Sequence, residues 1–179
     1  MLGTHSTGKT RLCKHIEREL RGHGLAVART GRLGKRAAQA GLPTMQHHTA
    51  RSTEWIITQG IADEISAVAL GAEGVLAYWH AALEFRRDTA PRLERERLLI
   101  LAATQLPKYD LLFATVLDEE VPVDTSQVYD PRYRRLVDEH AHRLLADDSI
   151  PHQRVTSDPD SQAHAIDVAV QRCLKRALV

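Results

Sequence analysis

A chain of 179 residues, with 43% apolar and 26% charged residues, is typical of one globular domain that buries a substantial core. Its formal net charge of +1 argues against a nucleic-acid or membrane-surface partner, because both select strongly basic proteins. The two cysteines make no metal or redox motif, and no apolar run reaches the roughly 18 residues that span a bilayer. We therefore expect a single cytoplasmic domain over residues 1–179.

The first segment with a recognisable pattern is Gly3-Thr4-His5-Ser6-Thr7-Gly8-Lys9-Thr10. It fits the phosphate-binding P-loop pattern G-x-x-x-x-G-K-[ST] at every fixed position. Glycines at both ends let the backbone turn tightly and point its N–H groups at phosphate oxygens. Lys9 is expected to lie near the β- and γ-phosphates, and Thr10 to offer its hydroxyl to Mg²⁺. The alternative is a glycine-rich turn followed by a chance Lys-Thr pair.

Apolar residues at helical spacing predict a helix from Lys9 to Gly22, directly after the loop. The rest of the chain alternates predicted helices with short apolar strands. Further helices are predicted at 36–39, 49–70, 77–84, 88–106, 131–146 and 161–178, and strands at 25–28, 75–76, 109–117 and 151–156. This alternation predicts a three-layer α/β fold of the P-loop NTPase type, with a mainly parallel sheet flanked by helices.

The segment before the loop is unusually short for this fold. A P-loop normally follows a buried central strand, whereas only Met1 and Leu2 precede Gly3. We therefore expect the first strand to be largely missing and interpret the start as truncated or misplaced.

Several remaining residue types favour one interpretation over another. No Asn-Lys-x-Asp run occurs in the sequence, which favours ATP over GTP. The His47-His48 pair has no partner at metal-ligand spacing and indicates a solvated loop rather than a metal site. Trp55 and Trp79 are expected to be core residues, with an acceptor pocket as the alternative.

Four further features accompany the loop: Thr53–Ile56 with Gln59 on a long helix, Ala77-Tyr78, Tyr109-Asp110 opening a strand, and an acidic loop leading to arginines. Together with the P-loop, this set resembles the ribosylnicotinamide kinase branch of AAA-type P-loop ATPases, which are related to nucleoside and nucleotide kinases. The resemblance spans nearly the whole chain. It implies transfer of the γ-phosphate of ATP to a hydroxyl of a small-molecule acceptor.

The same resemblance assigns roles to individual residues. It implies that Lys9 and the loop amides hold the ATP phosphates and that Thr10 holds Mg²⁺. Arg132 and Arg134 would then lie on a lid and neutralise charge on the transferred group, so we take Lys9, Arg132 and Arg134 as catalytic candidates. Alternatively, these arginines and Arg135 make surface ion pairs; the possible partners are Asp130, Asp138 and Glu139.

One expected element of the family pattern is not found in this sequence. The family carries acids at the end of its third strand that hold Mg²⁺ and orient the acceptor hydroxyl. Here a gap between Leu76 and Ala77 would remove them, and Glu73 is the nearest surviving acid. The alternative function is therefore a nucleotide-binding switch, or a degenerate paralogue that binds nucleotide without efficient transfer.

Overall fold

The computed structural model describes residues 1–44, 47–77, 92–121, 130–147 and 149–177. Helices and short strands alternate along these residues. In chain order they are α1 (Lys9–Gly22), β1 (Val27–Arg29), α2 (Leu33–Gln39), α3 (Ala50–Ala69), β2 (Gly74–Leu76), α4 (Arg92–Ala103), a 3₁₀ turn (Leu106–Lys108), β3 (Phe113–Thr115), α5 (Pro131–Asp147), β4 (Gln153–Val155) and α6 (Pro159–Ala177). None of the helices in these ranges is long and apolar enough to cross a membrane.

The strands form two parallel pairs, β1 with β2 and β3 with β4. Leu2 adds an isolated parallel bridge to Ala114 on the other edge of β3. In this bridge the Leu2 amide donates to the Phe113 carbonyl over 2.8 Å, and the Thr115 amide donates to the Leu2 carbonyl over 3.0 Å. The predicted α/β organisation is confirmed, and the strand before the loop is reduced to this one bridge.

Helices pack on both faces of β3, because neighbouring residues of a strand point to opposite sides. Phe113 belongs to a core cluster with Leu12, Ile16 and Leu20 of α1 and with alanines of α6. Ala114 points the other way, into a cluster with Leu145 and other residues of α5. Residues of β3 therefore connect α1 and α6 on one side with α5 on the other.

The helix predicted at 49–70 is confirmed as α3, and Thr49 is its N-cap. The Thr49 hydroxyl accepts a bond from the Ser52 amide, and the Ser52 hydroxyl accepts one from the Thr49 amide, a reciprocal capping box. Ile56 packs against α2, and Ile57 packs against Leu98 of α4. Trp55 lies at the edge of the Ile56 cluster, as its core interpretation predicts.

Strand lengths differ from expectation. The predicted strand 109–117 is shorter, because among the described residues its pairing partners are Leu2 and the three residues of β4. The helix α2 begins three residues earlier than predicted, after Arg32 in a left-handed conformation. The predicted helix 77–84, the start of helix 88–106, Trp79 and most of the acidic loop lie outside the described residues.

Candidate functional site

The loop from Gly3 to Gly8 requires glycine at both of its fixed positions. Gly3 has a φ of 138°, and a Cβ built on it would lie 2.0 Å from the Thr115 Oγ1 atom. Gly8 has a φ of 80° and is the N-cap of α1. Positive φ values of this kind strain any residue with a side chain, so the glycines determine how the loop turns from the Leu2 bridge into the helix.

The N-terminus of α1 is open to an anion. Its N-cap, Gly8, makes no side-chain capping bond, and the first turn contains no acidic residue. The first-turn amides and the helix dipole therefore present partial positive charge that no side chain at the cap neutralises. Thr10, in this first turn, is exposed, so its hydroxyl is accessible to a hydrated Mg²⁺ ion.

Lys9 folds back over the loop. Its Nζ atom donates to the Thr4 carbonyl and, over 3.3 Å, to the Thr7 hydroxyl. Thr7 in turn lies 2.6 Å from the Thr115 hydroxyl, and Thr4 is fully buried. The ammonium group of Lys9 is thereby held beside the loop at the start of α1.

Helix α5 brings one arginine onto the loop. The side chain of Arg134 is 6% exposed, and its Nε atom donates to the His5 carbonyl over 3.3 Å. Its Nη2 atom is buried and has no hydrogen-bond partner among the described residues. A buried guanidinium with an unused donor next to a phosphate-binding loop is suited to donate a hydrogen bond to an anionic oxygen.

The two neighbouring arginines lie elsewhere. Arg132 is exposed, and its backbone amide donates to Asp130 Oδ1 over 2.9 Å. The Arg135 side chain is half-exposed, with its Nε atom 3.4 Å from Glu119. Arg132 and Arg135 thus lie on the exposed side of the helix, and of the three arginines only Arg134 bonds to the loop.

Asp138, one helical turn beyond Arg134, was missed as a site residue by the sequence analysis. Its Oδ1 atom accepts a bond from the Leu117 amide over 3.2 Å, and its Oδ2 atom lies 3.8 Å from His142 Nε2. Burial raises the pKa of this carboxyl, although the Leu117 bond and the charges of His142, Lys9 and Arg154 act in the opposite direction. The influence of Lys9 places an acid within electrostatic reach of the loop.

The helical pattern of α5 contains a signal for both residues. Its buried apolar side chains recur every four positions, at Tyr133, Val137, Ala141 and Leu145. Arg134 and Asp138 each follow one of these positions and so flank the buried stripe. Applying the apolar period to the charged residues indicates which of the arginines lies next to the buried side of the helix, namely Arg134.

We expect Asp138→Asn to raise the free energy of unfolding at about pH 7. The amide keeps an acceptor for the Leu117 N–H and removes a buried charge. Because the pKa of the Asp138 carboxyl in the folded state lies above its ordinary value of 3.8, protonation stabilises the fold. This contribution is fully present below 3.8 and is lost as the pH rises through the raised pKa.

Urea unfolding at neutral and at acidic pH measures this difference. The gain of the Asn variant should shrink as the pH falls toward 3.8. Glu139→Gln, an exposed neighbour on the same helix, should show little change. An equal gain for Asp138→Asn at both pH values would contradict the assigned cause.

The carboxyl ends of β1 and β2 carry no acid among the described residues. Arg29 ends β1 and is followed by the buried Thr30, and Ala77 follows β2. Glu73 precedes β2, and its Oε2 atom accepts a bond from the Ala26 amide over 2.7 Å. Glu73 therefore lies at the amino edge of the strands, away from the loop, so its suggestion as a metal-site acid is wrong.

No cluster of three or more metal-binding side chains occurs in the described part of the chain. His48 belongs to no such cluster within these residues, and its Nδ1 atom lies 3.3 Å from the Ser52 hydroxyl. Any Mg²⁺ at the loop would be held by Thr10 together with phosphate and water oxygens, which is the coordination that Mg²⁺ commonly adopts with nucleotides.

A cavity of about 670 Å³ lies along the outer edge of β1. Its lining follows residues 25–31, from the amino side of β1 to Thr30 and Gly31 just beyond the carboxyl end, and residues of α3 form a wall. On that wall Asp63 pairs with Arg36 and accepts a bond from Gln59 over 2.8 Å. The cavity is therefore large enough for a small molecule and offers polar groups near a strand end.

No family model and no curated protein matches this chain. The geometry of the loop, of Arg134 and of the cavity is therefore the basis for assigning a function.

Proposed function

We propose that the chain binds ATP with Mg²⁺ through Gly3–Thr10 and transfers the γ-phosphate to a hydroxyl of a small-molecule acceptor. The observation that carries this proposal is the loop itself, in which two positive-φ glycines join Lys9 to the uncapped start of α1. The complete three-layer P-loop NTPase fold belongs to the same proposal, as does a cytosolic location, which suits Cys13 and Cys173 because no disulfide joins them.

Each group of the loop has a separate role in this proposal. The first-turn amides of α1 bind phosphate oxygens, and Lys9 moves its ammonium group onto the β- and γ-phosphates. Thr10 holds the Mg²⁺ ion, which supplies neutralisation of phosphate charge. Arg134 donates its buried Nη2 atom to the phosphoryl group being transferred, where negative charge develops.

The cavity beside β1 is the place we propose for the acceptor. In open α/β sheets, ligands bind beyond the carboxyl ends of parallel strands. Thr30 and Gly31 occupy such a position in the cavity. The volume of the cavity is sufficient for a nucleoside or a ribosylnicotinamide-like molecule.

Nucleotide binding without efficient transfer is the second candidate. The observation that favours it is the set of residues at the described strand ends, where Arg29, Thr30 and Ala77 stand and no carboxylate is available to orient an acceptor hydroxyl. Asp138 is affected by the charge of Lys9, but it bonds to Leu117 after β3 and does not lie at the end of β1 or β2. Phosphoryl transfer depends on positioning and charge neutralisation, so binding can persist when turnover is lost.

Incubation with γ-labelled ATP, Mg²⁺ and a panel of nucleosides separates the two candidates. A labelled acceptor product supports the kinase. Saturable ATP binding without any labelled product supports the binding protein. Failure of the wild-type chain to bind ATP would overturn both.

Arg134→Lys is expected to slow phosphate transfer or ATP hydrolysis by about 100-fold and to weaken ATP binding much less. Lysine keeps the charge but lacks the planar guanidinium group, whose separate N–H groups can bond the His5 carbonyl and an anion at the same time. Single-turnover kinetics combined with equilibrium ATP binding measures the two effects separately. Arg132→Lys is the matched control, because Arg132 is exposed on the same helix; equal rate losses in the two variants would remove the role of Arg134.

A further inference from the structure

Two threonine hydroxyls link the loop to the end of β3. The Thr115 Oγ1 atom lies 3.1 Å from the Leu2 carbonyl and 2.6 Å from Thr7 Oγ1. Thr7 Oγ1 lies 3.0 Å from the Thr4 carbonyl. Thr115 is 2% exposed and Thr4 is fully buried, so bulk water does not substitute for these bonds. The four groups form one chain from the Leu2 bridge to the contact of Lys9.

The chain has more contacts than protons. Each threonine hydroxyl donates one proton, so the two hydroxyls can fill only two of the three contacts at one time. The 2.6 Å contact between Thr7 and Thr115 must contain a proton, because two oxygen atoms this close without one repel each other. Two arrangements remain, and they differ in direction.

In the first arrangement, Thr115 donates to the Leu2 carbonyl and Thr7 donates to Thr115. The Thr4 carbonyl is then satisfied by Lys9 Nζ, which also donates to Thr7 Oγ1 over 3.3 Å. In the second arrangement, Thr7 donates to the Thr4 carbonyl and Thr115 donates to Thr7. The Leu2 carbonyl keeps the Thr115 amide as its donor at 3.0 Å.

We propose that Thr7 and Thr115 form a hydroxyl relay that reverses when Lys9 leaves the Thr4 carbonyl for a nucleotide phosphate. This inference rests on the proposed function and specifies how that site is regulated. The first arrangement requires Lys9 on the loop, and the second keeps the buried Thr4 carbonyl bonded after Lys9 has moved. Because an unsatisfied buried carbonyl is costly, the relay lowers the cost of releasing the lysine. Thr7 thus replaces Lys9 at the Thr4 carbonyl, while Thr115 changes from accepting the Thr7 proton to donating its own proton to Thr7.

The test compares ATP affinities in the presence of Mg²⁺ by isothermal titration calorimetry. Thr7→Val keeps the branched shape and removes the hydroxyl that bonds the Thr4 carbonyl after Lys9 has moved, and we expect it to weaken binding by about threefold to tenfold. Thr7→Ser restores a hydroxyl and should lie within about twofold of the wild type. Thr104→Val is the matched control, because Thr104 is an exposed residue whose hydroxyl donates to the Leu101 carbonyl and accepts from the Gln105 side-chain amide, away from the loop in sequence.

Thr115→Val separates the relay from two bonds that merely support the loop. In a relay its affinity should lie within about twofold of the wild type, because Thr7 can still donate to the Thr4 carbonyl, whereas two supporting bonds would make both Val variants bind more weakly. If Thr7→Val does not fold, Thr7→Ala carries the same comparison. Failed rescue by Ser, unchanged affinity in Thr7→Val, or an equal loss in Thr115→Val would overturn the relay alone. Absence of ATP binding by the wild type would overturn the relay together with the proposed function.

Discussion

Lys9→Ala is expected to weaken ATP binding in the presence of Mg²⁺ by about 100-fold or more while the chain stays folded. The lysine contributes charge-assisted hydrogen bonds to phosphate oxygens, each worth about 1.5–3 kcal/mol, and about 2.7 kcal/mol corresponds to a factor of 100 in affinity. Two of its contacts in the structure go to the Thr4 carbonyl and the Thr7 hydroxyl. Neither of these two contacts belongs to the core clusters, so we expect their loss to leave the fold intact.

Isothermal titration calorimetry on both proteins, with thermal melts alongside, measures this effect. Lys14→Ala is the matched control, since Lys14 is an exposed lysine on the same helix, beyond its first turn. It should bind ATP almost as the wild type does. Equal affinities of Lys9→Ala and the wild type would refute the role assigned to Lys9.

Gly3→Ala should destabilise the whole domain, because this glycine lies where the loop meets the sheet. A Cβ atom there would meet Thr115 Oγ1 at 2.0 Å and the Thr115 carbonyl at 3.0 Å, and the backbone φ of 138° disfavours any side chain. We expect a loss of about 3 kcal/mol or more. This corresponds to a melting temperature lower by roughly 6–12 °C in a domain of this size.

Gly34→Ala is the matched control for this substitution. Gly34 lies within α2, and a Cβ there would meet no atom within 4 Å. Alanine should therefore leave stability unchanged or raise it by up to about 1 kcal/mol through helix propensity. If urea unfolding shows the same change for both variants, the close packing of Gly3 against Thr115 does not constrain the loop.

Those parts of the fold that are determined by local sequence could be predicted. The helix Lys9–Gly22 was expected with the bounds that it has, because its apolar residues recur regularly and glycines flank it. The start of α3 follows from the reciprocal bonds of Thr49 and Ser52. The P-loop was identified because its glycines, lysine and threonine stand at fixed spacing.

Features that depend on distant segments could not be predicted in the same way. The extent of β3 is set by Leu2 and by β4, which lie far away in sequence. The contact between Arg134 and His5 joins residues 129 positions apart. Arg132 and Arg134 were weighed equally because charge alone does not reveal which side of a helix packs against the loop.

The position of Glu73 illustrates a different limit. Closeness in sequence to a strand suggested closeness to the metal site, yet strand direction places Glu73 at the amino edge, bonded to Ala26. Asp138 is distant in sequence from Lys9 but close enough in space to be affected by its charge. Only the packing of α5 against β3 and the loop brings these two residues together.

A crystal structure of the protein with Mg²⁺ and a non-hydrolysable ATP analogue tests the central claim most directly. We predict a triphosphate within the Gly3–Thr10 loop, with Lys9 moved from the Thr4 carbonyl to the phosphates and Thr10 bound to the metal ion. A loop without nucleotide at saturating concentration, with Lys9 still on Thr4, would contradict the proposed function.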